Sequence, residues 1–407
     1  MQWPRIIARI RASRSRRWAI RFLYILVFLA LFGSFLANDR PLITKYQGKI
    51  RWPVFRQIGE DILGWNPYTD LPGNKWINAR TDWVVWPPIP YAASTLDRKN
   101  NNYRSPLGEQ RIESWRWRHW LGTDKLGRDV LAGIIKGSRT ALLVGIVAMS
   151  VALLLGLFIG GIAGYFGNDL LRYPRWKVWA WWLGLLLGGS YVMVVFYPTL
   201  RSTAGWLSLT LSLLVIGLII AVCWGLCYFV AKVFPWLRPS ISVRVDSIAL
   251  RIIELFNSVP ALVLLITILG LIEQPTILTV MLIIGLIRWT GIARFVRAEL
   301  LRIRQLPYLE AARLSGLPHW RILLRHALPN TLGPVIVAVA FGMAGAVILE
   351  AFLAFLGLGL PPEEVSWGSL LLQARGKASA WWLTVFPGLA IFLTVLSLNL
   401  LGEALRE

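Results

Sequence analysis

Residues 306–330 read LPYLEAARLSGLPHWRILLRHALPN, a polar and basic interlude in a chain made mostly of apolar runs. Pro307 suits the first turn of a helix, where the N–H that proline lacks has no intrahelical partner. Gly316 reads as the stop of that helix, and Pro318 as the first turn of a second. In the second helix Trp320, Leu324 and Ala327 recur on one face, and Arg321 and Arg325 on another. The pattern predicts a helix–glycine–helix hairpin with an apolar and a basic side, held between two hydrophobic segments. Such an object suits docking to another protein at a membrane surface.

The chain around the hairpin is membrane-like. Its 407 residues are 56% hydrophobic, the mean hydropathy is +0.57, and several uncharged runs exceed the roughly 20 residues needed to cross a bilayer. The formal charge of +22 raises nucleic acid as a partner. The basic residues, however, cluster between hydrophobic runs, as in cytoplasmic loops, and no aromatic–basic RNA-binding module is present. Cys223 and Cys227 share one apolar run at i, i+4 spacing and read as small packing side chains.

In chain order, residues 1–17 form a basic N-terminus that charge places in the cytoplasm, and 18–37 a first, uncleaved span. Residues 38–138 form a long external segment, in which Trp86-Pro87-Pro88-Ile89-Pro90-Tyr91 should be extended. That segment should end in a short amphipathic helix capped by Thr123 or Asp124, with Leu126, Val130 and Ile134 along one side. A second span covers 139–169, and two further apolar runs, Val178–Leu200 and Ser202–Ala231, lie within 170–245. Residues 246–407 hold a span at Leu255–Ile272 and a segment Gln274–Ile287. That segment reaches spanning length if extended to Ala293 with Arg288 snorkelling. A basic loop (294–328), a span from Leu328 to Leu349 and a final span at Ala380–Gly402 complete the chain.

Glu310-Ala311-Ala312, Gly316 and Leu328-Pro329 together resemble the EAA motif of bacterial ABC-importer permeases, with His326 standing where the motif has an aliphatic residue. Leu121-Gly122-Thr123-Asp124 with Gly127-Arg128-Asp129, the run FLGLGLPP, SWGSLL and the closing FPGLAIFLTVLSLNLLGEALR are similar to the C-type permeases of the peptide-importer branch. NDRPLITKYQGK and WPPIPY resemble its microcin C-like subgroup. The resemblance implies an all-α polytopic type I ABC-importer permease fold of six family spans, with two extra helices inserted at 170–245. It implies that the hairpin couples to a cytoplasmic ATPase, with Glu310 pinning it, Ala311 and Ala312 allowing close approach and Gly316 making the turn. The implied partners are a second related permease, two ATPases that use ATP and Mg, an external binding protein and a peptide, in a bacterial cytoplasmic membrane with both chain ends inside.

The chain itself shows no phosphate-cradling Gly-Lys-Ser/Thr loop, no zinc-type His or Cys spacing and no catalytic constellation, so no catalytic or metal residues and no bound cofactor are expected. Glu350, deep in one apolar run, and Asn257, near the start of another, are the polar side chains placed by a possible substrate path; wetting at a helix end is the plain alternative for each. A permease for nickel or another small solute, or a secondary transporter without an ATPase, remains the competing reading. The latter predicts inverted repeats, and none is visible.

Overall fold

The computed structural model describes residues 13–46, 48–56, 76, 82–168, 170–191, 194, 206–237, 239–273, 275–358, 361 and 364–406. Most of the basic N-terminus, including Arg5, Arg9 and Arg11, lies outside them, as does the end of the Val178–Leu200 run. Packing divides the chain into two units, residues 1–161 with 253–407, and residues 162–252.

Long apolar helices dominate the first unit. They are α1 (Arg14–Leu36), α2 (Val130–Phe166), α7 (Ile277–Ile303), α9 (His319–Phe355) and α11 (Trp382–Arg406). The helices α3 (Arg175–Tyr191) and α4 (Trp206–Val233) belong to the second unit, and α5 (Val245–Ser258) leads from it to α6 (Ala261–Gly270). Among the described residues six helices are long and apolar enough to cross a bilayer, or seven if α5 and α6 together make one broken span. α3 has 17 residues and stops where the described residues stop. The eighth expected crossing therefore falls partly outside them.

The span expected at Leu255–Ile272 is broken, bent by 75° between α5 and α6. Pro260 has no N–H to give, and it disfavours helical backbone at Val259 before it. The Ser258 hydroxyl turns back to the Leu255 carbonyl at 2.7 Å. α7 continues well past Ala293, to Ile303. Arg288 does not snorkel to an interface: its guanidinium lies against Gly342 and Gly345 of α9.

Small residues set how closely these helices approach. Side-chain atoms at Gly160 of α2 would collide with the Ala293 backbone of α7, and at Gly285 of α7 with the Ala148 carbonyl, 2.6 Å away. Backbone contact of this kind is how helices associate where lipid is as apolar as leucine.

The polar segment between α1 and α2 builds a small platform at the start of α2. Strands β1 (Ile43–Tyr46), β2 (Lys49–Arg51) and β3 (Trp83–Val85) form an antiparallel sheet in the order β2-β1-β3. The Trp86–Tyr91 run leaves it extended, as its prolines dictate. The separate amphipathic helix expected from Thr123 or Asp124 does not form. Gly127 makes a tight left-handed turn, and Asp124 is used up inside it, accepting from the N–H groups of Leu126 and Arg128 at 2.8 Å each. The helix cap is Asp129, which accepts from the Ala132 N–H at 2.7 Å. α2 then runs unbroken for 37 residues, about 55 Å at 1.5 Å per residue. Trp382 is buried and donates to the Thr123 carbonyl at 3.1 Å.

His119 is the centre of the platform. Its Nδ1 lies 2.8 Å from Asp129 and its Nε2 3.2 Å from Asp97, and Tyr91 stacks on the ring. With carboxylates at both nitrogens, the doubly protonated ring alone can donate to both. Burial by itself would favour the neutral ring, but hydrogen bonds to Asp129 and Asp97 outweigh it and hold His119 above its ordinary 6.5. Burial would raise Asp97, yet hydrogen bonds from His119, Asn100 and the Lys99 N–H bring it to about 2. The imidazolium therefore stabilises the platform below pH 6.5, and this contribution is lost as pH rises through its folded pKa. Asp97 contributes above its unfolded value of 3.8 and loses that contribution as pH falls towards 2. Hydrogen exchange over residues 97–129, corrected for intrinsic rates, is expected to show greatest protection between these limits. His119→Gln should abolish the alkaline decline and lower local stability by about 3 kcal/mol; an unchanged alkaline limb would contradict the assignment.

The second unit is a helical hairpin of α3 and α4, closed at its base by strands β4 (Arg172–Pro174) and β5 (Ser240–Ser242), which pair antiparallel. A Cβ added at Gly184 would make only ordinary contact with Ile220, and Trp176 packs edge-on against Trp224 and Tyr228. Cys223 and Cys227 are free thiols.

Candidate coupling hairpin and interior cavity

The hairpin forms where the local sequence requires it. α8 (Pro307–Leu314) has Pro307 in its first turn and Glu310 near its positive end. Its exit is a Schellman turn: the Leu317 N–H reaches the Ala312 carbonyl at 3.3 Å, and the Gly316 N–H the Arg313 carbonyl at 3.0 Å. Gly316 has φ +74°, the left-handed conformation that this turn needs and that a Cβ disfavours. Pro318 then caps the next helix.

That second helix is not a separate piece. α9 is continuous from His319 to Phe355 and absorbs Pro329 by widening into a π-turn over Leu323–Ala327. Proline at 329 cannot bond to the Arg325 carbonyl, and the wider turn avoids its clash with it. The Leu328 N–H accordingly bonds five residues back, to Leu323. Leu328-Pro329 therefore sits inside a helix joining the hairpin rigidly to a span, where the sequence suggested a boundary.

The buried face of the hairpin also differs from the expected one. Of Trp320, Leu324 and Ala327 only Ala327 is buried; Ile322, Leu323 and Leu309 fill the interior instead. Trp320, Leu324, Tyr308 and Leu314 are exposed, Leu314 at 89%, beside exposed Glu310 and Ala311 and half-buried Ala312. The two arms are clasped by Asn330, whose amide donates to the Tyr308 hydroxyl at 3.0 Å and to the His326 carbonyl at 2.8 Å. Asn330 ends the quoted stretch, but nothing in its spacing pointed to this clasp.

Above the hairpin lies a cavity of about 1120 Å³ whose lining includes Asn257, Pro260, Arg288, Thr290, Phe341 and Arg406. Along α9 it extends from Gly333 to Gly342, about 14 Å of helix. Asn257 accepts a hydrogen bond from the Thr290 hydroxyl at 3.1 Å. Glu350 does not line this cavity, nor is it wetted at a helix end. It is buried and hydrogen-bonded by Ser366, with its Oε1 lacking a partner among the described residues. Sequence reasoning thus placed one of its two path residues on the cavity wall and missed Arg288. The signal for Arg288 was available: a lone charge in the apolar run from 275 to 293. No group of three or more metal-ligating side chains occurs among the described residues.

Comparison with known proteins agrees with this arrangement. Residues 237–407, which contain the hairpin and most of the cavity wall, match the family described as binding-protein-dependent transport system inner membrane component. The chain is 28% identical to the peptidoglycan transport system permease protein YejE of Agrobacterium fabrum, over 98% of this chain and 90% of the relative. It is 26% identical to the inner membrane ABC transporter permease protein YejE of Escherichia coli, over 98% and 94%. A permease protein of Brucella suis biovar 1 named for a peptide transport system is 36% identical over 205 residues, 50% of this chain and 64% of the relative. Residues 237–407 thus carry the inner membrane component domain of binding-protein-dependent transport systems, within a multi-pass chain that is similar along nearly its whole length to ABC transporter permeases.

Proposed function

We propose that this chain forms one half of the transmembrane pathway of an ATP-driven peptide importer. In this reading a second, related permease completes the pathway, two cytoplasmic ATPases bind the two hairpins and hydrolyse ATP with Mg, and an external binding protein delivers the peptide. Both chain ends lie in the cytoplasm, and the platform at the start of α2 faces the binding protein. The names of the relatives support the peptide substrate. The observation that carries the coupling role is mechanical. Tyr308, Leu314, Trp320 and Leu324 are exposed on the same hairpin as exposed Glu310 and Ala311, and α9 continues without a break into the cavity wall. A push on Trp320 by a closing ATPase dimer would be carried along one helix to Pro334 and Phe341. Glu310 and Ala311 would contact the ATPase, with Ala312 and Gly316 holding the turn behind them and Leu328-Pro329 keeping α9 continuous.

Gentle purification of the tagged chain from membranes is expected to recover a homologous permease and an ATPase. Loss of the ATPase alone on replacing Trp320 and Leu324 by serine would locate the docking surface. A lone chain that still moves solute would sink the reading and leave a secondary transporter.

A further inference from the structure

An ionised side chain in a membrane-spanning helix is retained when something compensates it. Arg288 lies 11 residues after Ile277 in the 27-residue α7, so it sits near the middle of the span. Its one hydrogen bond within the described chain is a long one, 3.5 Å to the Gly342 carbonyl. No acidic side chain lines the cavity beside it among the described residues, whereas a second cation, Arg406, lines it as well. The polar remainder has the same sense. Asn257 has its oxygen engaged by Thr290, which leaves its amide hydrogens as donors. The wall thus offers a guanidinium and amide donors, with no carboxylate to answer them.

We propose that Arg288 is a recognition site for a carboxylate of the peptide in transit, with Asn257 as a supporting donor; this rests on the peptide-permease reading above. A planar guanidinium binds a carboxylate through two parallel hydrogen bonds, and does so most strongly where water is scarce. The volume argues for a mobile substrate over a single acidic side chain from a neighbouring subunit, because about 1120 Å³ exceeds what one side chain fills and suits a small peptide. Arg406, which lines the same cavity, offers the carboxylate a second cation.

The test is ATP-driven uptake by the complete reconstituted complex, with the binding protein saturated by each of three versions of one labelled peptide. One has a free C-terminal carboxylate and no acidic side chain, one a C-terminal amide, and one a C-terminal amide with a glutamate side chain. The wild type is expected to favour the free acid, and Arg288→Gln to reduce that preference about tenfold, while Arg288→Lys, which keeps the charge but loses the two-point geometry, should fall between them. Uptake of the glutamate amide at the free-acid rate would show that any carboxylate is read, and uptake at the plain-amide rate that the terminus is; both support the site. An unchanged preference in Arg288→Gln overturns it. Loss of the second permease from purified Arg288→Gln complex also overturns it, by making Arg288 half of an inter-subunit ion pair. Failure of the wild type to transport any of the three defeats the peptide reading itself, and this assignment with it.

Discussion

Replacing Gly316 by valine is expected to abolish ATP-driven transport, by more than about tenfold, while the chain still inserts and assembles. Gly316 holds φ +74° and nothing lies within 4 Å of where its Cβ would be, so the penalty is one of backbone alone. For an ordinary residue that conformation costs about 1–2 kcal/mol, and more for a β-branched one. The turn relieves it by opening, which breaks the bonds from Leu317 to Ala312 and from Gly316 to Arg313. α8 then no longer holds a fixed angle to α9, and a push on the hairpin is absorbed in the joint. Basal ATP hydrolysis should persist without transport, because the ATPases are separate chains in the proposed assembly. Gly316→Asn, which tolerates the left-handed region, should restore most of the transport. Normal uptake by the valine variant would remove the coupling role from this turn.

The second large effect is expected at Gly160, where substitution by leucine should prevent accumulation of folded protein. The added atoms would meet the Cα and carbonyl carbon of Ala293 at 2.9 and 3.0 Å. Backbone cannot rotate away as a side chain can, so α2 and α7 must separate along their contact. Overpacking a core costs about 1–3 kcal/mol when side chains can adjust, and the cost here should lie at or above the top of that range. Thermal unfolding of the solubilised protein is the measurement, with Gly270→Ala, whose Cβ meets nothing within 4 Å, as the control. A leucine variant as stable as the control would show that the helices do not depend on this contact.

The hairpin shows how much of such a site a sequence carries. Its turn was legible because Pro307, Gly316 and Pro318 act through their own backbone, within a few residues and whatever surrounds them. The buried face was not, because Trp320-Arg321-Ile322-Leu323-Leu324 has apolar residues on several sides and only the packing partner selects among them. Burial went to Ile322 and Leu323, and Trp320 and Leu324 were left outside. The continuity of α9 through Pro329 was hidden for a related reason. Proline disfavours a regular α-turn, but a π-turn accommodates it when the rest of the helix is held by neighbours.

The sequence by itself determined the membrane class, the rough lengths of the spans, the extended Trp86–Tyr91 run and the place of the hairpin, since each follows from local composition and backbone preference. Tertiary structure decided the meeting of His119 with Asp97 and Asp129 and the burial of Glu350 away from the cavity. It also decided the turning of Arg288 towards α9. Each of these depends on which distant segment comes to lie against a side chain, and hydrophobic periodicity constrains the face a helix buries without naming the partner it meets.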